Sequence, residues 1–346
     1  MEIKGRGAQL NPHNKYKAQV LVADPDGQDE ALGTPGATQF FEVKAKTMIN
    51  AVASPDIPIA WSVNPYQGCE HGCVYCYARN THEYWGFSAG LDFETKIQVK
   101  TNAALLLEHE LCKPNWAGEP ISISGNTDCY QPAERTYRLT RAMLQVCLRM
   151  GQPVGIISKN TAMLQDIDIL QELAAEGLVH VYFSISTLQE DLRRLMEPRT
   201  ATAVSKLRAI ERLTAAGIPC GVMQGPIIPG LTDHEILPIV EAAAKAGALS
   251  VGYNFVRLNG AVGPLFTNWI QQALPDRAPK VLRQIALSHN GTLSDSTFGR
   301  RMRGQGPFAD AIALLHKQAL QTYLDNVVMP PLNRSVFRRG AQLSLF

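Results

Sequence analysis

The chain has 346 residues, enough for one large barrel or two ordinary domains, and can bury roughly three quarters of its unfolded surface without staples. Hydrophobic residues make up 45% and charged residues 18%, a folded globular balance that excludes a disordered chain. Lys and Arg (33) exceed Asp and Glu (31) by only two, so bulk charge points to no polyanionic partner; with no apolar signal core and no run of about 18 apolar residues, a cytoplasmic protein outside the membrane is expected.

Residues 1–59 are rich in turn formers (DPDGQDE, GTPGA, ASPDIP) and read either as an extended arm with one short strand at 38–44 that wraps the core or meets substrate, or as a partly disordered tail. From residue 60 strands and helices alternate. Strands are predicted at 60–66, 120–124, 154–158, 178–186, 219–228 and 250–258, and helices at 94–111, 132–150, 161–176, 201–216 and 232–246. The strands are continuous apolar runs, as when helices cover a parallel sheet. Helices end in AAEG, AAG and KAG, each closing on glycine. An open doubly wound sheet fits the same rhythm. The lack of GxGxxG after the first strand, and the unusual residues at several strand C-termini, favour an α/β fold built as a partial (β/α)6 TIM-type barrel over residues 60–290. Beyond it, residues 291–341 read as a basic helical extension with one amphipathic helix at 308–328, followed by a tail at 342–346; residues 299–346 hold seven Lys or Arg against Asp310 and Asp325.

Seven cysteines, an odd number without an export signal, argue against a disulfide framework. Cys112, Cys147 and Cys220 fall on helix or strand patterns and read as core. Cys69, Cys73 and Cys76 are different: NPYQGCEHGCVYCYAR sets them in CxxxCxxC spacing directly after the first strand, with Gly68 and Gly72 letting the loop fold closely. Three thiolates suit zinc or an iron–sulfur centre. Structural zinc wants four ligands, and His71 is the available fourth although it sits inside the loop. A cubane would take three cysteines and keep one iron open.

CxxxCxΦC with Tyr75 at the aromatic position, on a loop after the first strand of a β/α barrel, resembles the radical S-adenosylmethionine superfamily. The resemblance implies one [4Fe-4S] cluster on Cys69, Cys73 and Cys76. It also implies S-adenosylmethionine chelated to the open iron, and an electron donor such as flavodoxin or ferredoxin. One-electron reduction then yields methionine and a 5′-deoxyadenosyl radical. It places Tyr75 beside the cofactor, Gly125 and Thr127 in the cofactor loop SGNTD, Asp128 on the cofactor amino group, and Lys159, Ser184 or Ser186 on its carboxylate. Arg199, in MEPRT, is a further candidate for carboxylate or substrate phosphate.

Within the superfamily, residues 60–290 resemble the DNA repair photolyase-like group around spore photoproduct lyase, through the cysteine segment, SGNTDCYQP, the EPR segment and PIIPGLTD. That implies a lyase-like enzyme of DNA repair, with Tyr77 taking part in radical return. The lyase's hydrogen-donor cysteine aligns with Gly125, so the donor is absent where expected, and Cys129, four residues on, is the candidate substitute. The last five residues, QLSLF (Gln342 to Phe346), resemble the pentapeptide that docks bacterial repair proteins on the sliding clamp. The basic run at 299–306, Arg338, Arg339 and the arm residues Lys4, Arg6, Lys15 and Lys17 are candidate phosphate contacts. Tyr84 and Trp85 would stack on a base or seal the barrel. Three readings follow: a radical enzyme acting on damaged or modified DNA, one modifying RNA, a peptide or a metabolite, and a zinc-stabilised binding protein.

Overall fold

The computed structural model describes residues 3–17 and 37–339. The strands in chain order are β1 (Gln39–Val43), β2 (Asn50–Ala51), β3 (Trp61–Val63), β4 (Tyr66–Gln67), β5 (Lys96–Lys100), β6 (Ile121–Ile123), β7 (Val154–Ser158), β8 (Val179–Ser184), β9 (Cys220–Ile227) and β10 (Ser250–Phe255). A seven-stranded sheet runs β10-β9-β8-β7-β6-β3-β2. Strands β3 and β6 to β10 are parallel, and only β2 joins its edge antiparallel. This is the six-stranded partial barrel expected from the sequence.

The period-two pattern of the strands decides which face carries the core. Ile121, Ile123, Val154, Ile156, Val181, Phe183, Cys220 and Val222 are buried in one cluster. They pack on Leu144, Leu170, Ile210 and Val240, from helices Leu139–Met150, Ile167–Ala175, Ala203–Ala215 and Ile236–Lys245. Each such side chain contributes roughly 1.5–3 kcal/mol of burial. The alternate residues Ser122, Ile157, Tyr182, Met223 and Asn254 are only half-buried and line the open face of the sheet. The helix Pro307–Tyr323, five residues shorter at its end than predicted, packs on Ile236–Lys245.

Three expectations are corrected. The segment predicted as one helix over 94–111 ends a short helix, Leu91–Thr95, then holds β5, and the longer helix is Ala103–Leu111. In KIQVK the β-branched Ile97 and Val99 alternate with polar residues and bury against Tyr66 and Leu139, so the period is two. β5 pairs parallel with β1 and antiparallel with β4 in a separate three-stranded sheet. The first predicted strand accordingly splits around Asn64 and Pro65 into β3 and β4, which belong to different sheets. Likewise the helix at 132–150 is two, broken at Arg138 (φ 50°), and Glu134 caps the second by accepting from Thr140 N at 2.9 Å.

Arm residues 3–17 wrap the barrel. Gly7 N and Ala8 N donate to the Glu94 carboxylate at 3.0 and 2.8 Å, and Asn14 Nδ2 donates to Glu83 O and Phe87 O. Gly7 lies so close to the cysteine loop that a Cβ there would sit 1.8 Å from Gly72 O. The pentapeptide QLSLF lies outside the described residues. No helix among the described residues is long and apolar enough to cross a membrane.

Candidate active site

The cysteine loop is bent at Gly68 (φ +83°) and Gly72 (φ +70°), a conformation that side chains rarely adopt. Its backbone is tied down by Cys69 N to Phe93 O (2.8 Å) and Val74 N to Met196 O (3.1 Å). Fully buried Arg79 donates to Cys73 O (2.9 Å), Gly90 O (2.9 Å) and the equally buried Glu94 carboxylate, so one ion pair joins the loop, the following helix and the arm. All three thiols are free. Cys69 and Cys73 are buried and Cys76 is half-buried. Burial pushes all three thiols up, and Cys69 also feels Asp128, Cys73 and Cys76.

Among the described residues no three His, Cys, Asp or Glu side chains gather to hold a single metal ion. His71, the available fourth ligand of the zinc alternative, is buried with Nδ1 3.2 Å from Asp128 Oδ2 and Nε2 3.4 Å from Asn160 Nδ2. Both ring nitrogens are therefore engaged away from the cysteines. Three soft donors on one bent loop fit a cubane that takes one cysteine per iron, whose ligands stand further apart than those sharing one ion.

The turn SGNTD ends β6. Asn64 Oδ1 accepts from Asn126 N (2.8 Å) and Thr127 N (3.2 Å), and Thr127 Oγ1 donates to Tyr66 O (2.7 Å). Tyr77, 45% exposed, donates its hydroxyl to Gly125 O at 2.5 Å. A Cβ at Gly125 would lie 2.8 Å from Ser62 Cβ, so the place where the resemblance calls for a donor cysteine has no room for that side chain without a shift. Cys129 is fully buried within the main core, its backbone held by Ser124 and Thr140, and the structure does not bring it to the open face.

Asp128 corrects another expectation. Oδ1 accepts from Ser158 Oγ (2.7 Å) and Tyr130 N (2.9 Å); Oδ2 accepts from Lys159 N (2.8 Å) and faces His71. Burial opposes the charge, but His71 and the hydrogen bonds hold the carboxyl below its usual range. With all four acceptor sites taken, Asp128 braces the cysteine loop against β7 rather than offering a lone pair to a cofactor amino group.

Lys159, Ser184, Ser186 and Tyr75 do converge, around a carboxylate the sequence reading passed over. Lys159 Nζ donates to Ser184 Oγ (2.9 Å), Ser186 Oγ (3.1 Å), Gly225 O (3.0 Å) and Glu197 Oε1 (3.0 Å). The hydroxyls of Tyr75 and Ser186 also donate to Glu197 Oε1, and Thr200 Oγ1 donates to Oε2 at 3.2 Å. A second buried ammonium, Lys206, donates to Ser184 O (2.9 Å) and stands 3.9 Å from Glu197 Oε2. Burial would raise the Glu197 carboxyl, yet Lys159, Lys206 and the hydroxyls bring it down to about 2. For Lys206 burial prevails, taking it down to about 8. The group lies at the C-terminal ends of β7, β8 and β9, and Cys73 feels both Glu197 and Lys159. EPR was a signal for Glu197; Lys206, on a helix, carries no such signal.

Arg199 is placed against the cysteine loop, its N donating to His71 O (3.3 Å) and its guanidinium 3.4 Å from Glu70 Oε1. Much of the basic run is answered within the chain. Arg301 pairs with Asp56 at 2.6 Å, Arg300 with Asp295 at 2.9 Å and Arg338 with Glu176 at 2.6 Å. Tyr84 and Trp85 are exposed, Tyr84 stacking on Tyr16 at 5.0 Å, so neither seals the barrel.

The pattern of the family described as the Radical SAM superfamily matches residues 63–243. An uncharacterized protein of Mycobacterium tuberculosis is 37% identical over 240 residues, covering 68% of this chain and 71% of its own. A Pseudomonas phage M6 protein named Radical SAM Nalpha-GlyT isomerase is 24% identical over 227 residues, covering 65% of this chain and 45% of its own. Among solved structures, spore photoproduct lyase complexed with dinucleoside spore photoproduct is similar at TM-score 0.60 and 13% identity, covering 82% of this chain and 79% of that one, a likeness of fold.

Proposed function

Because the chain belongs to the radical S-adenosylmethionine superfamily, we propose that it is an enzyme holding a [4Fe-4S] cluster on Cys69, Cys73 and Cys76 and acting on damaged or modified DNA. The observation that carries this reading is the free cysteine triplet on a rigid loop next to a buried cationic group at the strand C-termini. The cluster, when bound, supplies the electron that cleaves S-adenosylmethionine to methionine and a 5′-deoxyadenosyl radical.

This chain's residues do the holding. Lys159, with Ser184 and Ser186, stands where the cofactor carboxylate would exchange for the contacts these groups make with Gly225 O and with one another, while Glu197 keeps the ammonium charged and Lys206 holds the far side of that carboxylate. Asp128, His71 and the Arg79–Glu94 pair fix the loop. Tyr77, facing the opening beside Gly125 O, is the side chain placed to return a hydrogen atom. The choice of DNA is supported by the lyase-like segments, the likeness of fold and QLSLF, which we assign to sliding-clamp docking. Reversal of a thymine dimer itself is not assigned, since Gly125 replaces the expected donor.

The test is 5′-deoxyadenosine formation by anaerobically reconstituted protein with flavodoxin or dithionite, beside a Cys69/Cys73/Cys76→Ala triple variant. Damaged DNA, undamaged DNA and RNA are compared as additions. Product from the intact triplet alone, stimulated by damaged DNA, is expected. No product with cluster and cofactor bound refutes the activity; stimulation by RNA alone, or by neither nucleic acid, refutes the substrate. Deleting residues 342–346 is expected to abolish capture by immobilised sliding clamp, and unchanged capture refutes that partner.

A further inference from the structure

At the C-terminal end of β10 the fold leaves one cation unanswered. Arg257 stands two residues beyond Phe255 and is half-buried. Its guanidinium lies 5.5 Å from the ring centroid of Tyr77, the residue directly after the third cysteine of the triplet. Among the described residues it makes no hydrogen bond or ion pair. Burial and the nearby Arg301 both disfavour its charge, and the carboxylate that reaches it, Asp56, is already bound to Arg301 at 2.6 Å. Arg303, in the turn that precedes the helix Pro307–Tyr323, rests on the ring of Tyr253 in β10 at 4.6 Å.

Several other cations among the described residues are answered by carboxylates. Buried or half-buried Arg79, Arg141, Lys159 and Arg193 all have carboxylates within 3.0 Å. A half-buried guanidinium beside a like charge and without a counter-ion is costly, and an arriving anion removes that cost. Stacking on Tyr77 leaves the edges of the planar fork available, and such a fork matches the oxygens of phosphate in a bidentate way. The position also fits, since this face of the barrel, at the strand C-termini, is where such folds carry their chemistry.

We propose that Arg257 is the phosphate anchor of the substrate site, holding a nucleotide phosphate next to Tyr77, an assignment that rests on the reading of the substrate as nucleic acid. The shared chemistry is a phosphate oxygen pair, from the diester of a strand or the monoester of a free nucleotide. The anchor sets where along a strand the reacting nucleotide stops.

The test uses the full-length reconstituted protein, its Arg257→Ala and Arg257→Lys variants, and Arg208→Ala as a control on an exposed helix position. Binding is measured by fluorescence anisotropy for a short labelled oligothymidylate across a salt series. Binding of thymidine 5′-monophosphate and of thymidine is measured directly by titration calorimetry, and S-adenosylmethionine binding is followed by equilibrium dialysis. We expect Arg257→Ala to weaken oligothymidylate binding about tenfold. Its salt slope should be shallower by about 0.7, with Arg257→Lys keeping the slope but binding less tightly than wild type. Arg208→Ala and cofactor binding should not change. Wild-type binding with an unaltered Arg257→Ala affinity and slope overturns the anchor while the nucleic-acid reading stands. Wild type that ignores the oligomer but prefers the monophosphate to thymidine through Arg257 overturns the nucleic-acid reading while the anchor stands. Loss of S-adenosylmethionine binding in Arg257→Ala assigns the guanidinium to the cofactor and overturns the proposal.

Discussion

Replacing Glu197 by Gln removes the carboxylate that stands between two buried ammonium groups. The carboxylate is 1% exposed and meets Lys159 Nζ at 3.0 Å and Lys206 Nζ at 3.9 Å, with the hydroxyls of Tyr75 and Ser186 on the same oxygen as Lys159. Breaking a buried pair from one side typically costs about 3–5 kcal/mol, because the remaining charge stays in low dielectric. The acid titration gives a second route to the same size. Burial works against the charge, but Lys159 and Lys206 hold the carboxyl at about 2 against an ordinary 4.5. At about 1.4 kcal/mol per pKa unit that difference amounts to about 3 kcal/mol. A depressed carboxylate contributes stability that is complete above 4.5 and is lost as the pH falls toward 2. Urea unfolding of wild type and Glu197→Gln should therefore differ by about 3–5 kcal/mol at pH 7. The gap should narrow by about 0.8 kcal/mol at pH 4 and about 2 kcal/mol at pH 3. Adding Lys206→Met to Glu197→Gln should restore part of the loss, since one stranded ammonium then disappears. Equal stabilities at pH 7, or a gap independent of pH, would refute the reasoning.

Further outcomes follow from the same contacts. Gly7→Ala would put a Cβ 1.8 Å from Gly72 O and 2.9 Å from Val74 Cγ1. It should cost about 1–3 kcal/mol and expose residues 3–17 to limited proteolysis, and unchanged protection would show that the arm does not depend on that contact. Asp128→Asn weakens the brace between His71 and Lys159 N, so Cys69 and Cys73 of the metal-free chain should be alkylated faster than in wild type. The same variant should lose less stability than wild type as the pH drops below 3.8, because its depressed carboxylate is gone. Cys129→Ala, at a fully buried core position, should cost about 1 kcal/mol and leave the 5′-deoxyadenosine yield unchanged; a selective loss of product with the fold intact would return that thiol to the site.

Local signals in the sequence were sufficient for the barrel. VGIIS is β7 residue for residue, and the glycines at 177, 217 and 247 end their helices with positive φ, because apolar runs and left-handed caps are properties of a few neighbouring residues. The cysteine spacing was legible for the same reason, as three donors within eight positions must share one loop. Where local patterns competed the reading failed. KIQVK and the helical run after it were merged, although β5 takes its place from pairing with β1, more than fifty residues earlier.

Tertiary structure alone decided what the polar groups do. The resemblance set Asp128 on a cofactor amino group, but its four acceptor sites are filled by partners from β7, from its own loop and from the cysteine loop. Lys206 carries no signal of its own in the sequence, yet it reaches beneath β8 to a buried carboxylate. Arg257 looked like any other arginine until the fold set it on Tyr77 and gave Asp56 to Arg301. Residue order determines secondary structure and loop ligands because those depend on near neighbours. Which charges are satisfied and which are left for a ligand depends on partners brought from distant strands, and that is settled only when the sheet closes around them.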